Sequence, residues 1–533
     1  MSALPVLANA ITLAAAAPAA ARFSAALRDP AGAQRRILRR LLDAGRDTAY
    51  GRAHDFASIR TPDDYAARVP FVDFDALAPW IARVEQGEPG VLTGAPVEFM
   101  EPTGGSSGYR KLVPYTAALR AEFSAATMPW LFDLLTKRPG LVRGRAYWAI
   151  TPPAREAART AGGVPIGMED DAEYFPRPLR ALLRQTLAVP TSVARSGDVA
   201  ACRRRTLVAL LGTPDLTLIS VWSPSFLTTL TMVLDEEWTA LLDELETGAF
   251  GVAARPDVAR ALRRRFGRRA PDDLGLLWAR LALVSCWTEG HAARSLPGIR
   301  ARFPRVELQG KGLLATEGVV SFPLLGAGAS VAAITSHYLE LLAADGTVAP
   351  IHRADVGATY EVVLSTGGGL YRYRLRDLVR VEGMRHRTPL LSFQGRADRA
   401  SDLAGEKLTP ALAERAIADA LRQMKLDTAF AMLAPSLEPT PHYNLYIDVA
   451  PDHAEQLAAV VERQLCGAHH YALCRALGQL APVRGVSARD AHRSYERACV
   501  ARGQRAGAIK PPALECVLNW EDAFEERGEE VLR

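Results

Sequence analysis

Four short apolar runs, at residues 146–150, 216–221, 283–287 and 312–316, alternate with helix-like stretches through the middle of this chain. Short runs without polar alternation are strands buried on both faces, and helices between them act as crossovers. That alternation predicts α/β layers with at least partly parallel sheets. Between residues 349 and 383 the pattern changes to period two, as in Tyr360 to Ser365 and Leu370 to Leu375, which predicts an antiparallel meander or small barrel. After Gly395 the order reads helix (410–422), strand (429–433), strand (443–449), helix (454–466), strand, a compact α+β unit. A chain of 533 residues is too long for one hydrophobic core. The expected division is therefore 1–394 and 395–533, with a hinge near Gly395 and Arg396.

Two earlier segments add to this outline. Apolar residues at Ile37, Leu38, Leu41 and Leu42 have the one-face spacing of an amphipathic helix over 33–46. Residues 90–101 read as strand, turn and strand.

The charge balance of 64 basic against 59 acidic residues gives a net +5, too small a surplus to imply a polyanionic partner. The arginine clusters at 203–205 and 263–269 lie in Ala- and Leu-rich helical contexts without interleaved aromatics, so they read as solvated helix ends and no nucleic acid is expected. The six cysteines include no C-x-x-C and have no histidine pair at zinc-ligand spacing. Such usage suits a reducing, cytoplasmic setting. Residues 3–21 carry no charge but lack the basic start of a signal peptide, so they are read as an N-terminal scaffold helix. Nothing else approaches a membrane span, and no membrane partner is expected.

Chemistry concentrates in three segments. Thr103-Gly104-Gly105-Ser106-Ser107-Gly108 must be a loop; its glycines let backbone N–H groups turn inward toward an anion, its hydroxyls add donors, and Lys111 supplies a positive charge. It is not a Walker A loop, because no Gly-Lys-Ser/Thr follows. The second segment, Leu313 to Gly318, is an apolar strand delivering the hydroxyl of Thr316 and the carboxylate of Glu317, a group suited to Mg²⁺ beside phosphates. In the third, Tyr371 to Asp377, alternating arginines surround Asp377, which is either a ligand group or a salt-bridge partner on an edge strand.

In this order and spacing the segments resemble the adenylate-forming enzymes, and specifically the GH3 acyl acid amido synthetases of plants and their bacterial relatives. The resemblance extends to Thr48-Ala-Tyr50-Gly51-Arg52, Val69-Pro70 and Gly87-Glu88 upstream. Downstream it includes Phe393-Gln-Gly395-Arg396, Gly405-Glu406-Lys407, His470-Tyr471 and Ile509-Lys510-Pro511. It implies a large N-terminal domain of sheets, helices and a small barrel, capped by a small mobile α+β domain. It also implies a phosphate loop from Thr103 to Lys111, Thr316 at the α-phosphate, Glu317 at Mg²⁺, Asp377 on the ribose hydroxyls, Arg396 at the hinge and Lys510 as the catalytic lysine.

The activity so implied consumes ATP. A small-molecule carboxylic acid would be adenylated with release of pyrophosphate, and the acyl group passed to an amine, that of an amino acid by expectation. A monomer or weak homodimer is expected. The rival readings are an acyl-CoA ligase, sharing the first step, and an inactive nucleotide-binding relative.

Overall fold

Both faces of the central strands Leu216–Ser220 and Leu283–Ser285 are covered, as their mostly apolar runs imply. The computed structural model describes residues 3–103, 111–149, 158–167, 182, 184–190, 193, 199–248, 252–397, 401, 403, 404, 406–502, 504 and 509–525. Residues 99–102 and 112–115 form β1 (Phe99–Pro102) and β2 (Leu112–Tyr115), an antiparallel pair extended by the short β4 (Ala158–Arg159) and β5 (Pro165–Ile166) in the order β2-β1-β5-β4. The expected strand, turn and strand over 90–101 is realised only in β1. The carbonyls of Gly90 and Val91 instead accept from the N–H groups of Ala49 and Tyr50 at 2.8 and 3.0 Å, so this stretch seats a short helix.

β3 (Arg145–Trp148), β6 (Leu216–Ser220), β7 (Leu283–Ser285) and β8 (Glu307–Gln309) form a second sheet in that order, with every neighbouring pair parallel. Tyr147, Ile219 and Val284 share one core with Leu207, Leu230 and Leu241 of the crossover helices. Leu218 and Leu283 alternate to the other face and join the main core. β8 escapes the sequence pattern because it is three residues long and opens on the exposed Glu307.

The run 312–316 does not enter this sheet. Gly312 takes a φ of +73°, which turns the chain aside. β9 (Leu314–Ala315) and β10 (Gly318–Val319) then form an antiparallel hairpin whose two turn residues are Thr316 and Glu317.

The period-two region becomes a seven-stranded antiparallel sheet. Its strands are β11 (Ser321–Phe322), β12 (Ser330–Ala332), β13 (Tyr338–Leu342), β14 (Val348–Pro350), β15 (Thr359–Ser365), β16 (Tyr373–Arg385) and β17 (Thr388–Arg396). In the order β11-β12-β17-β16-β15-β13-β14 only β15, β16 and β17 run as a meander; the chain crosses the sheet between β12 and β13, and β13 rather than β14 pairs with β15, so the expected meander is only partly realised. Among the described residues the short β11 and β14 end the sheet as edges where a closed barrel would pair them. Along β16, Leu375, Val379 and Val381 point into the core while Arg374, Arg376 and Arg380 alternate outward.

Beyond Arg396 the helices Pro410–Met424 and Pro451–Leu465 pack on β18 (Ala431–Ser436), β19 (His442–Ile447) and β20 (Arg484–Ser487). Ile417, Leu445 and Leu457 make one core there, and Phe430, Tyr446, Tyr495, Ile509 and Trp520 make another. Among the described residues, ion pairs of Arg203 with Glu496 at 2.5 Å and of Arg493 with Glu236 at 2.8 Å join this part to the rest. Arg204 pairs with Glu237 and Glu244, and Arg263 with Asp243 and Glu246. Arg203, Arg204 and Arg263 of the basic clusters are thus engaged with carboxylates.

At the N-terminus, the helix Ala3–Ala26 is long and apolar enough by composition to cross a membrane. In the fold it lies along the helix Ala117–Lys137. Ala16, Phe23 and Ala26 enter the main core, and the Asn9 amide donates to the carbonyls of Val142 and Gly144 at 3.1 and 2.9 Å. The helix expected over 33–46 runs from Pro30 to Gly45 and buries Ile37, Leu38, Leu41 and Leu42.

Candidate functional site

The three chemical segments and the C-terminal lysine meet at one place. Gly104, Gly105, Ser106, Ser107 and Gly108 lie outside the described residues, but both ends of their loop are fixed. The N–H of Thr103 donates to the carbonyl of Lys111 at 2.9 Å, directly beyond the register pair Pro102 and Leu112. Lys111 lies over the ring of Phe74, its ammonium 5.5 Å from the centroid.

β2 then reaches the second segment. The hydroxyl of Tyr115 donates to the carbonyl of Thr316 at 2.6 Å, which ties the Thr316–Glu317 turn to the strand that follows the loop. The turn is backed by His337, fully buried, whose Nδ1 bonds the Glu122 carboxylate at 3.0 Å. A Cβ at Gly318 would stand 2.9 Å from His337 Nε2, so only glycine lets the hairpin sit this deep. Glu317 is half-buried, and desolvation holds its carboxyl above the usual carboxylate range. The positive charges of Arg396 and Lys111 oppose that rise, which locates both near it.

The third segment sorts its arginines from its aspartate. Arg372, buried with φ of +48°, donates to Glu340 at 3.1 Å and to the carbonyls of Ala66 and Val69 at 2.9 and 2.8 Å. Arg374 makes a forked pair with Glu361 at 2.9 and 2.6 Å, and Arg376 reaches Asp73 at 3.1 Å. These arginines brace the sheet. Asp377 is buried and bonds Arg396 of β17 at 3.1 Å, its register partner. β16 is an interior strand, so the alternative that put Asp377 on an edge strand does not hold, although its salt bridge is present.

Lys510 arrives from the other side. Ile509 is buried in a C-terminal core, and the backbone of Leu433 bonds Ala513 and Glu515 at 2.9 and 2.8 Å, so the Lys510-Pro511-Pro512 turn is held against β18. The ammonium lies 4.5 Å from the centroid of the Trp287 ring. By area Lys510 is exposed, while its ammonium is packed against the Trp287 ring. Desolvation there pushes its pKa down to about 8, against the pull of the Asp377 carboxylate. Trp287 also meets Phe393 edge-on at 5.4 Å, and the Phe393 N–H donates to Glu289 at 3.2 Å.

Lys111, Glu317, Arg396, Asp377 and Lys510 thus form a series in which each charge acts on the next. Thr103 and Thr316 stand at its edge. Such alternation suits a ligand that is itself polyanionic at one end and rich in hydroxyls at the other. Sequence reasoning missed Trp287, Glu289, Tyr115 and the His337–Glu122 pair. Trp287 could be read only as the end of an apolar run, and the others lie in no motif.

Residues 19–308 match the GH3 family N-terminal domain, and residues 330–396 match the GH3 family central domain. The chain is 21% identical over 450 residues to indole-3-acetic acid-amido synthetase GH3.2 of Arabidopsis thaliana, an alignment covering 74% of this chain and 79% of that one. It is 24% identical over 429 residues to indole-3-acetic acid-amido synthetase GH3.8 of Oryza sativa subsp. indica, covering 72% and 69%. Among solved structures it superposes on GH3.15 acyl acid amido synthetase with a TM-score of 0.81 at 18% identity, over 95% of both chains. On 2-hydroxyisobutyryl-CoA ligase in its postadenylation state the TM-score is 0.51 at 14% identity, over 88% of this chain and 91% of that one.

Proposed function

Because the chain belongs to the GH3 family, whose N-terminal domain description covers more than half of it, we propose that it is an ATP-dependent acyl acid amido synthetase. The observation that carries the reading is the alternating series from Lys111 to Lys510, in which a C-terminal lysine meets Asp377 of the large sheet. In the proposed reaction an acid carboxylate oxygen attacks the α-phosphorus of ATP and the bond to pyrophosphate breaks. The amine nitrogen then attacks the acyl carbon, AMP leaves with the bonding pair, and the nitrogen gives up a proton. Two anions must approach in the first step, so cations and N–H donors fixed in advance lower its barrier.

Each residue has an assigned part. Thr103, Gly104, Gly105, Ser106, Ser107, Gly108 and Lys111 cradle the phosphates, Thr316 donates to the α-phosphate, and Asp377 accepts from the ribose hydroxyls. Arg396, at the end of β17, both pairs with Asp377 and begins the segment that carries the mobile unit 395–533. The positive φ of Gly395, +134°, with nothing within 4 Å of a built Cβ, leaves that junction free to turn. Glu317 fits Mg²⁺, since a single half-buried carboxylate is what this ion takes from protein when phosphates fill its other positions. Bound there, Mg²⁺ would offset phosphate charge. Six thiols and no disulfide suit the cytoplasm as its location.

Glu317→Gln should slow adenylation and weaken Mg²⁺-dependent ATP binding measured by calorimetry, with partial recovery as Mg²⁺ is raised. Binding that ignores Mg²⁺ in both proteins would remove the metal role. The acceptor is tested by supplying ATP and a competent acid with either free amino acids or CoA. Amide and AMP should appear with an amino acid and no thioester with CoA; thioester without amide would make the protein an acyl-CoA ligase.

A further inference from the structure

The parallel sheet ends in a polar row that adenylation does not use. The last residues of its four strands, Trp148, Ser220, Ser285 and Gln309, are register partners across the sheet. Register partners point to one face. That face looks at the helix Ala117–Lys137, whose Trp130 donates its indole N–H to the Gln309 side chain at 3.2 Å. Over the row lies Lys311, only 7% exposed, its ammonium donating to Ser220 Oγ at 2.6 Å. The same ammonium is 5.6, 5.6 and 5.0 Å from the ring centroids of Trp130, Trp148 and Trp222. Next to Ser220, the hydroxyl of Ser285 is fully buried and, among the described residues, has no hydrogen-bond partner.

The carboxyl ends of parallel strands are where open α/β sheets bind ligands. This one adjoins the adenylation site twice. The N–H of Trp287 donates to the Trp222 carbonyl at 3.0 Å, and the Trp287 ring carries Lys510. Lys311 also precedes the Thr316–Glu317 turn by one short strand. The two cation sets are nevertheless distinct: Glu317 feels Arg396 and Lys111, whereas Lys311 acts on Cys286 at the end of β7. An acid lying along the row would therefore bring its reacting carboxylate to Lys510 and its far end to Lys311.

We propose that the acyl substrate is a dicarboxylic acid whose second carboxylate is held by Lys311 and the hydroxyls of Ser220 and Ser285, with its body between the indoles. The proposal rests on the amido synthetase reading above. A charge buried among aromatic faces attracts an anion far more strongly than a wet one does. The unmatched Ser285 hydroxyl supplies a donor that an apolar tail would leave unused.

The test compares matched acids, hexanoate with adipate and benzoate with terephthalate, by acid-dependent ATP–pyrophosphate exchange in the full-length wild-type chain. The dicarboxylates should be preferred in kcat/KM, and Lys311→Met should reduce that preference by on the order of tenfold to a hundredfold, the range for a charge-assisted hydrogen bond. Ser285→Ala should reduce it less. The wild-type comparison needs no variant, so a misfolded Lys311→Met cannot shield the idea. Wild-type preference for the monocarboxylates, or a Lys311→Met loss equal for both acids of a pair, overturns the subsite while leaving the amido synthetase reading intact. Exchange with no acid of either kind overturns both.

Discussion

Replacing Lys510 by alanine is expected to slow adenylation by roughly a hundredfold to a thousandfold while sparing amide formation from chemically supplied acyl-adenylate. The ammonium lies 4.5 Å from the centroid of the Trp287 ring and is acted on by the Asp377 carboxylate. At ~4 Å from developing phosphate charge and an effective dielectric near 20, one unit charge contributes about 4 kcal/mol before desolvation is subtracted. The second half-reaction begins from an anhydride already formed, so it does not need that charge. Equal loss in both halves would point to a folding or closure defect, and an undiminished exchange rate would remove Lys510 from the mechanism.

The same lysine sets a pH dependence. Its folded pKa is depressed to about 8, so the ammonium is present below that value and is lost as pH rises through it. For the free enzyme, kcat/KM for ATP in exchange should therefore fall above about pH 8. In Lys510→Arg that descending limb should vanish, because guanidinium stays charged. A limb that persists unchanged in the arginine variant would belong to another group.

Asp377→Asn is expected to weaken ATP binding by roughly tenfold to a hundredfold, the value of a charge-assisted bond to a sugar hydroxyl. A second consequence separates this residue from an ordinary salt-bridge partner. The Asp377 carboxylate raises the pKa of Lys510 against desolvation. With it neutralised, the alkaline limb of the exchange profile should move to lower pH. Calorimetry with ATP reads the first effect and the pH–rate profile the second. Unchanged ATP affinity would leave Asp377 as no more than the partner that Arg396 bonds at 3.1 Å.

The architecture was legible wherever burial fixes the residue pattern. Strands β6 and β7 are mostly apolar and buried along their whole length because both of their faces are covered. β16 alternates because one face alone enters the core, whereas β15 is buried on both faces beyond Thr359, with Tyr360, Val362 and Leu364 in the core and Glu361 held by Arg374. Thr316 and Glu317 were found, but on a hairpin turn, since a glycine φ cannot be read from a short apolar run. The catalytic candidates were legible through family resemblance and spacing, whereas their supports were not. Trp287, Tyr115 and His337 come from distant parts of the chain, and only tertiary packing brings them to Lys510, Thr316 and Gly318. The Lys311 cage is hidden for the same reason: three tryptophans from three elements carry no common period in sequence.

The central claim is that the series from Lys111 to Lys510 activates a carboxylate as its adenylate. ATP–pyrophosphate exchange, run on the wild-type chain with Mg²⁺ across a panel of mono- and dicarboxylic acids, tests it most directly. The account predicts label exchange that requires an acid and needs no amine; exchange absent with every acid, in a protein that still binds ATP, would contradict it and leave a nucleotide-binding relative without the activity.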